Sequence, residues 1–166
     1  MVDAHDDPPL ESRPPRLDDL LTICRGLNAV GARYLVVGGM AVVRLGFVRA
    51  TEDIDLLIDA SEENVERVKS GLMVLPDGAA RQVLAGDLLA YVVVRVADEV
   101  VVDLMASACG LDYQAAASDV ELVNLQGVTI PFASARLLLA MKQTVRAKDV
   151  LDREFLTRLL GEAGDA

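Results

Sequence analysis

Two adjacent glycines, followed thirteen residues later by two alternating acids, constrain the fold more than any other part of this 166-residue chain. The apolar residues 34–37 predict a short buried strand that ends at Gly38 and Gly39. Residues 40–45 predict a helix that begins at these glycines, and residues 54–58 predict a second strand with acids on one face. This part of the chain therefore predicts a strand–turn–helix–strand unit.

Regular patterns continue on both sides of this unit. Apolar residues recur at helical spacing over residues 17–30, and Ser61 is a typical N-cap for a helix after the second strand. Two β-branched runs, residues 88–96 and 100–105, predict an antiparallel hairpin. Their continuous apolarity predicts that this hairpin is buried.

The C-terminal part predicts a smaller hairpin and two helices. The hairpin covers residues 120–124 and 128–130, and the helices run from Ser134 to about residue 147 and from residue 149 to about residue 160. The complete order of elements predicts an α/β (α+β) fold, in which a mixed β-sheet is flanked by helices and followed by C-terminal helices.

The domain organisation follows from composition. Residues 1–16 carry four of the six prolines together with several acids, a composition typical of a disordered segment. The rest of the chain contains no linker, and 52% of all residues are hydrophobic. We therefore predict an acidic, proline-rich tail over residues 1–16 and a single domain over residues 17–166, whose C-terminal helical part covers about residues 133–162.

Charge and residue type exclude several classes of function. The formal net charge of −10 argues against broad DNA binding, which needs a basic face. The single histidine, His5, excludes histidine-based zinc sites and Ser-His-Asp catalysis. The two commonest nucleotide-binding sequences, GxGxxG and GxxxxGK[ST], do not occur. Any catalysis must therefore use carboxylates, lysine or arginine.

Hydropathy and cysteine usage bear on location. The longest unbroken apolar run, residues 88–94, is far shorter than the roughly 18 residues of a membrane span. The first ten residues lack the basic and apolar regions of a secretory signal. Cys24 and Cys109 lack metal-ligand spacing and are expected as reduced thiols in the core. We expect a cytoplasmic protein that does not bind membranes.

Three acids are candidate metal ligands. Asp53 and Asp55 alternate on one strand and so project from the same face, about 7 Å apart. Burying both is costly unless a cation lies between them, and Mg²⁺ prefers such oxygen ligands. Asp103 lies within an apolar strand, where a charge needs a partner, and it would complete a two-metal site. Alternatively, Asp103 forms a salt bridge with Arg95 across its hairpin.

Other residues near this pattern are candidates for phosphate binding. The backbone N–H groups of Gly38 and Gly39 would lie at the start of a helix, where they can approach a phosphate closely. Arg49 and Thr51 share the parity of the two alternating acids and would point toward the same pocket if the strand begins early. Alternatively, Arg49 only neutralises the neighbouring acids.

These motifs together resemble the DNA polymerase β-like nucleotidyltransferase superfamily. The resemblance rests on the glycine pair, the thirteen-residue spacing to the Asp-x-Asp pair, and Asp103 on a later strand. Residues 38–41 (GGMA), 49–55 (RATEDID) and 141–152 (MKQTVRAKDVLD) are similar, more narrowly, to a minimal branch that contains abortive-infection toxins. The resemblance spans roughly residues 17–160.

The resemblance implies the nucleotidyltransferase fold and a metal-dependent transferase that moves an NMP from an NTP to a hydroxyl. By this resemblance Asp53, Asp55 and Asp103 hold two Mg²⁺ ions (or Mn²⁺), and the third acid helps to activate the attacking hydroxyl. The glycine turn holds the triphosphate and Lys142 reaches the phosphates. The implied acceptor is a tRNA 3′ end, a protein or a small molecule, and the implied context includes a toxin–antitoxin system with a cognate protein partner.

Two alternatives stay open at this point. The chain is either an active enzyme, which an intact acid triad favours, or a catalytically silent, antitoxin-type protein with the same fold that acts through a protein partner. Lys142 either contacts phosphates or is a solvated helix residue. The basic residues Arg146 and Lys148 together with Asp149 and Asp152 favour an ion-paired helix junction.

Overall fold

The computed structural model describes residues 11–165, in which six strands form one sheet flanked by helices. The strands are β1 (Tyr34–Val37), β2 (Asp53–Ile58), β3 (Val94–Ala97), β4 (Val101–Met105), β5 (Ser107–Ala108), β6 (Leu111–Asp112), β7 (Val120–Leu125) and β8 (Val128–Ala133). The helices are α1 (Leu17–Ala29), α2 (Gly38–Arg44), α3 (Glu62–Leu72), α4 (Asp87–Ala90), α5 (Tyr113–Ala116), α6 (Ala135–Met141) and α7 (Ala147–Gly164), with one 3₁₀ turn at Ala79–Gln82.

The sheet combines parallel and antiparallel pairs. Its strand order is β3-β4-β2-β1-β8-β7, and β5 pairs with β6 in a separate small ribbon. Strand β1 is antiparallel to β2 and parallel to β8, whereas β2 is parallel to β4. The pairs β3–β4 and β7–β8 are antiparallel hairpins. A mixed sheet with flanking helices and two C-terminal helices confirms the predicted fold class.

The core consists mainly of aliphatic side chains, which fill the space between the sheet and the helices. Helix α1 packs on α3, and α6 packs on α7. Burying one large aliphatic side chain stabilises the fold by about 1.5–3 kcal/mol, so such residues provide most of the favourable energy. The largest fully buried side chains are Phe132, Leu20, Ile23, Leu27, Leu35, Ile54, Leu56, Leu57, Ile58, Leu72, Leu104 and Ile130.

The prediction of a buried first hairpin strand over residues 88–96 is wrong both in where the strand begins and in its burial. Residues 87–90 form the short helix α4, because the Asp87 carboxylate accepts a hydrogen bond from the Leu84 N–H at 2.9 Å and closes a turn. Strand β3 begins only at Val94 and lies at the edge of the sheet. The side chains of Val92 and Val93 are exposed. This segment therefore forms the rim of the sheet, whereas its partner β4 is largely buried.

The first C-terminal helix ends earlier than predicted. Ser134 caps it as expected, because its hydroxyl accepts a hydrogen bond from the Leu137 N–H, but α6 ends at Met141. The guanidinium of Arg153 on α7 donates to the carbonyl oxygens of Lys142 and Thr144 and so satisfies backbone groups that a longer helix would have paired. None of the helices within residues 11–165 combines the length and the hydropathy that crossing a bilayer requires.

The last residues of the predicted tail lie against the β3–β4 hairpin. Residues 11–16 form neither helix nor strand. The Ser12 hydroxyl donates to the Asp98 carbonyl at 2.6 Å, and Arg13 forms ion pairs with Asp19 and Glu99. The first ten residues of that tail lie outside the described residues.

Candidate active site

Four residues on adjacent strands form one row across the sheet. In the sheet register Asp55 on β2 lies between Val37 on β1 and Asp103 on β4, and Asp103 lies opposite Arg95 on β3. Asp53 precedes Asp55 by two residues and so points to the same side of the sheet. One carboxylate oxygen from each of the three acids lies within 4.8 Å of the other two. The strand register therefore assembles the three predicted acids into one cluster, which we call the acid triad.

Burial and the neighbouring negative charges disfavour the charged forms of Asp53 and Asp55. Burial, followed by the charges of Asp53 and Asp103, raises the pKa of Asp55 to about 7, and Lys142 opposes this shift. Burial, followed by the charge of Asp103, also raises the pKa of Asp53. The triad therefore carries more negative charge than its surroundings neutralise. Three carboxylates are the hard oxygen donors that Mg²⁺ and Mn²⁺ prefer, so the residues fit a divalent ion of this kind.

The salt bridge that the sequence left as an alternative for Asp103 is present. The guanidinium of Arg95 donates twice to the Asp103 carboxylate, from Nε to Oδ1 and from Nη2 to Oδ2, each at 2.9 Å. Its Nη2 also lies 3.4 Å from Oδ2 of Asp53. Arg95 thus bridges two members of the triad while 59% of its side chain stays exposed.

The glycine turn brings backbone directly against the triad. Gly38 directly follows β1 and has φ = +67°, a conformation that favours glycine, and no side chain would fit between it and Asp55. A Cβ at Gly39 would lie 3.0 Å from both Nη2 of Arg49 and Oγ1 of Thr51. The turn therefore packs closely on Arg49 and Thr51 in the segment before β2.

All eight site residues predicted from the sequence line one cavity of about 710 Å³, which is large enough for a nucleotide. They are Gly38, Gly39, Arg49, Thr51, Asp53, Asp55, Asp103 and Lys142. Val92 and Val93 border the same cavity on the side of β3. The cavity thus has a carboxylate wall, a glycine turn and cationic side chains within one space.

Two of the cationic side chains belong to a buried ionic cluster. Nζ of Lys142 lies 2.8 Å from Oδ2 of Asp152 and 3.5 Å from Oδ1 of Asp149, and the Lys142 side chain is only 8% exposed. Nη2 of Arg49 donates to the same Oδ2 of Asp152 at 2.9 Å. The interpretation of Lys142 as a solvated residue is therefore wrong. Arg49 likewise pairs with a distant acid rather than with the acids of β2.

The helix junction around residue 146 is ion-paired as expected for Arg146, whereas Lys148 and Asp152 pair with residues outside the junction. Arg146 and Asp149 form the expected pair, with Nε and Oδ2 3.1 Å apart, and the Thr144 hydroxyl also donates to Asp149. Lys148 instead lies 3.8 Å from Glu52, and Asp152 pairs with the residues described above.

The prediction that Cys109 lies in the core is wrong. Cys109, expected in the core, is exposed and lines the cavity. It has φ = +47° and precedes Gly110 at φ = +79°, so the two residues form the tight turn between β5 and β6. The signal was the glycine directly after the cysteine, which is typical of a turn.

Comparison with known proteins supports the architecture. No family model and no curated protein matches the chain. Among solved structures, the chain is similar to a provisionally named nucleotidyltransferase from Thermotoga maritima, with a TM-score of 0.52 and 18% sequence identity over 88% of this chain and 92% of that chain. The protein therefore has a nucleotidyltransferase fold.

Proposed function

We propose that this protein is a metal-dependent nucleotidyltransferase that transfers an NMP from an NTP to a hydroxyl acceptor. The observation that carries the proposal is the acid triad, whose oxygens lie within 4.8 Å of one another in the wall of a cavity that also contains the glycine turn. A structural scaffold would gain nothing from this arrangement, because like charges directly opposite each other on neighbouring strands are destabilising.

In the proposed reaction the acceptor oxygen forms a bond to the α-phosphorus of the NTP. The bond from the α-phosphorus to the oxygen that bridges to the β-phosphorus breaks, and pyrophosphate leaves with that electron pair. The hydroxyl proton passes to a carboxylate oxygen of Asp103. Two divalent cations (Mg²⁺, or Mn²⁺ in its place) held by Asp53, Asp55 and Asp103 would offset the phosphate charge and lower the pKa of the attacking hydroxyl.

The cavity supports triphosphate binding beyond the acids. Arg49 and Lys142 offer positive charge, and the glycine turn offers backbone N–H groups, of which that of Gly39 contacts the Asp55 carboxylate. The Thr51 hydroxyl donates to the Asp53 carbonyl oxygen at 2.9 Å and would exchange this bond for one to a phosphate. Because Asp152 holds both of these cations in place, they need little reorganisation when a phosphate enters. These two positive charges are thus preorganised at the cavity.

The proposal also covers the molecule that supplies the acceptor hydroxyl and the biological role of the transfer. A tRNA 3′ end, a protein side chain and a small molecule all carry a suitable hydroxyl. The net charge of −10 disfavours a large RNA footprint. The motif resemblance to the abortive-infection branch supports a role in a cytoplasmic toxin–antitoxin system with a cognate protein partner.

One observation favours a second candidate, a catalytically silent protein of this fold that acts through a protein partner. Arg95 already satisfies both oxygens of Asp103. If this pair is permanent, the proposed proton acceptor is neutralised and the triad is incomplete. The two candidates then differ in whether the triad binds a cation together with an NTP.

Calorimetric titration of each NTP in the presence of Mg²⁺ tests the proposal. The wild type is compared with Asp53→Asn/Asp55→Asn, which removes charge while keeping shape. Asp59→Asn is the matched control, because Asp59 follows the same strand but does not line the cavity. We expect Mg²⁺-dependent binding of one NTP to the wild type and the control and its loss in the double variant.

The same titrations separate the candidates. Binding that survives in the double variant would place the nucleotide elsewhere and contradict the assigned roles. An absence of binding to the wild type at millimolar NTP would contradict a stand-alone enzyme and support the partner-dependent candidate.

A further inference from the structure

Arg95 contacts the acid triad but has no role in the proposed reaction. It lies on the edge strand β3 directly opposite Asp103, and its guanidinium lies between Asp103 and Asp53. Among the described residues, no other basic side chain lies within 4.0 Å of a carboxylate oxygen of the triad. The direct ion pairs of the triad therefore come from one residue, whereas Lys142 and Lys148 act on Asp55 and Asp53 from a greater distance.

We infer that Arg95 is an internal counter-ion that competes with divalent cations for the acid triad and must be released before the triad is loaded. The inference rests on the cation site of the proposed function. Arg95 thus controls the binding of cations to the triad and takes no part in the making or breaking of bonds.

The geometry of the pair supports competition. Both oxygens of Asp103 accept from the guanidinium at 2.9 Å, and one of its nitrogens lies 3.4 Å from Asp53. An ion that binds both acids would therefore lie close to a fixed positive charge. At such a separation like charges repel by about 1 kcal/mol in bulk water, and by more beside a protein. Cation and guanidinium therefore compete for the same carboxylate oxygens.

Release of Arg95 is structurally simple. Its side chain is 59% exposed, and the neighbouring Val92 and Val93 leave the rim of the cavity open. Arg49, by contrast, is 18% exposed and pairs with the fully buried Asp152. Of these two cavity arginines, Arg95 can move into solvent without leaving an acid buried alone, provided that a cation takes its place.

Titration of Mn²⁺ into the nucleotide-free protein, followed by calorimetry and thermal unfolding, tests the inference. Arg95→Gln removes the charge, and Arg95→Lys keeps a charge but loses the two-point contact. Arg13→Gln is the matched control, because Arg13 also bridges two acids, Asp19 and Glu99, but does not line the cavity.

We expect Arg95→Gln to bind Mn²⁺ at least about fivefold more tightly than the wild type, with Arg95→Lys in between. Without the ion, Arg95→Gln should unfold at a lower temperature than the wild type, and Mn²⁺ should restore the loss. The loss in Arg13→Gln should not respond to Mn²⁺. We expect Arg95→Lys to fold even if Arg95→Gln does not, because it keeps a positive charge opposite Asp103.

Two other results would overturn the inference in distinguishable ways. Equal or weaker Mn²⁺ binding by both Arg95 variants would contradict the competition while the proposed cation site stands. An absence of Mn²⁺ binding by the wild type and by all variants would contradict both the competition and the cation site.

Discussion

A Cβ atom on Gly38 would lie 2.0 Å from Oδ2 of Asp55. The backbone of the turn thus packs so closely on the Asp55 carboxylate that Gly38→Ala must displace it. A non-glycine residue at positive φ costs roughly 1–2 kcal/mol in addition. We expect this variant to lose stability in urea by more than that amount and to lose divalent-ion binding in calorimetry.

Gly31→Ala is the matched control for this change. Gly31 has φ = +66°, almost the same as Gly38, but nothing lies within 4 Å of the position of its Cβ. Gly31→Ala should lose only the roughly 1–2 kcal/mol that a non-glycine residue at positive φ costs, and it should keep divalent-ion binding. Equal losses in the two variants would show that the contact with Asp55 is unimportant.

The raised pKa of Asp55 makes stability depend on pH. Its pKa rises from 3.8 to about 7 on folding, so the folded state binds more protons than the unfolded chain between these values. The contribution of this group is therefore complete below about pH 4 and is lost as the pH rises through 7. A shift of one pKa unit corresponds to about 1.4 kcal/mol, so the effect should be measurable.

Asp55→Asn removes this dependence. We expect the free energy of unfolding of the wild type to fall relative to that of the variant by more than about 1 kcal/mol between pH 4 and 8. Mn²⁺ at pH 8 should recover the loss in the wild type only. Urea unfolding across this range provides the measurement, and parallel pH profiles of the two proteins would contradict it.

Local spacing predicts those parts of the site that lie on one strand or one turn. Asp53 and Asp55 share a face because side chains alternate in any strand, and the glycine pair indicates a turn. The position of Asp103 beside Asp55 depends on the register between β2 and β4, which are distant in sequence. Alternation alone does not define that pairing. The sequence indicates Asp103 only because a charge within an apolar strand needs a partner, and it does not show which residue that partner is.

Charges that meet through tertiary contacts could not be assigned in this way. The helical pattern continues past Met141, but α6 ends there and Lys142 turns toward Asp152. A buried charge is stable only when it is paired, and the pairing of Lys142 with Asp152 outweighs the local preference for helix. The exposure of Val92 also escapes prediction, because an apolar run shows neither where its strand begins nor whether that strand lies at the edge of a sheet.

Asp98 is a buried acid that stabilises the β3–β4 hairpin. Its carboxylate accepts hydrogen bonds from the N–H groups of Asp77, Ala79 and Glu99 at 2.8–3.0 Å. Hydrogen bonds to a charged group contribute about 1.5–3 kcal/mol each, so Asp98→Ala should cost roughly 3 kcal/mol or more. Glu99→Ala, which removes only an exposed ion pair with Arg13, should cost less than about 1 kcal/mol.

Urea unfolding of both variants at pH 7 measures this difference. Burial of Asp98 raises its pKa, but the three N–H donors outweigh burial and leave the pKa below its ordinary value. Its contribution is therefore present above about pH 4 and is lost as the pH falls through the folded pKa. Similar losses in the alanine variants of Asp98 and Glu99 would contradict a specific role for the buried carboxylate.

Asp152 connects the cavity to the C-terminal helix. It is fully buried and contacts both Lys142 and Arg49, and its Oδ1 has no hydrogen-bond partner within residues 11–165. Asp152→Ala leaves Arg49 without its acid and leaves Lys142 with only the longer contact to Asp149. Breaking a buried pair costs about 3–5 kcal/mol. Lys148→Ala removes only an exposed contact with Glu52 and should cost less than about 1 kcal/mol.

Thermal and urea unfolding of both variants, followed by NTP titration of each folded protein, tests this role. We expect Asp152→Ala to melt at a markedly lower temperature and to bind the NTP more weakly, because Lys142 and Arg49 are no longer held at the cavity wall. Asp152→Asn should lie between the alanine variant and the wild type, since it keeps the volume and one acceptor oxygen. Wild-type stability of the alanine variant would mean that the two cations find other acids, with Asp149 the nearest to Lys142.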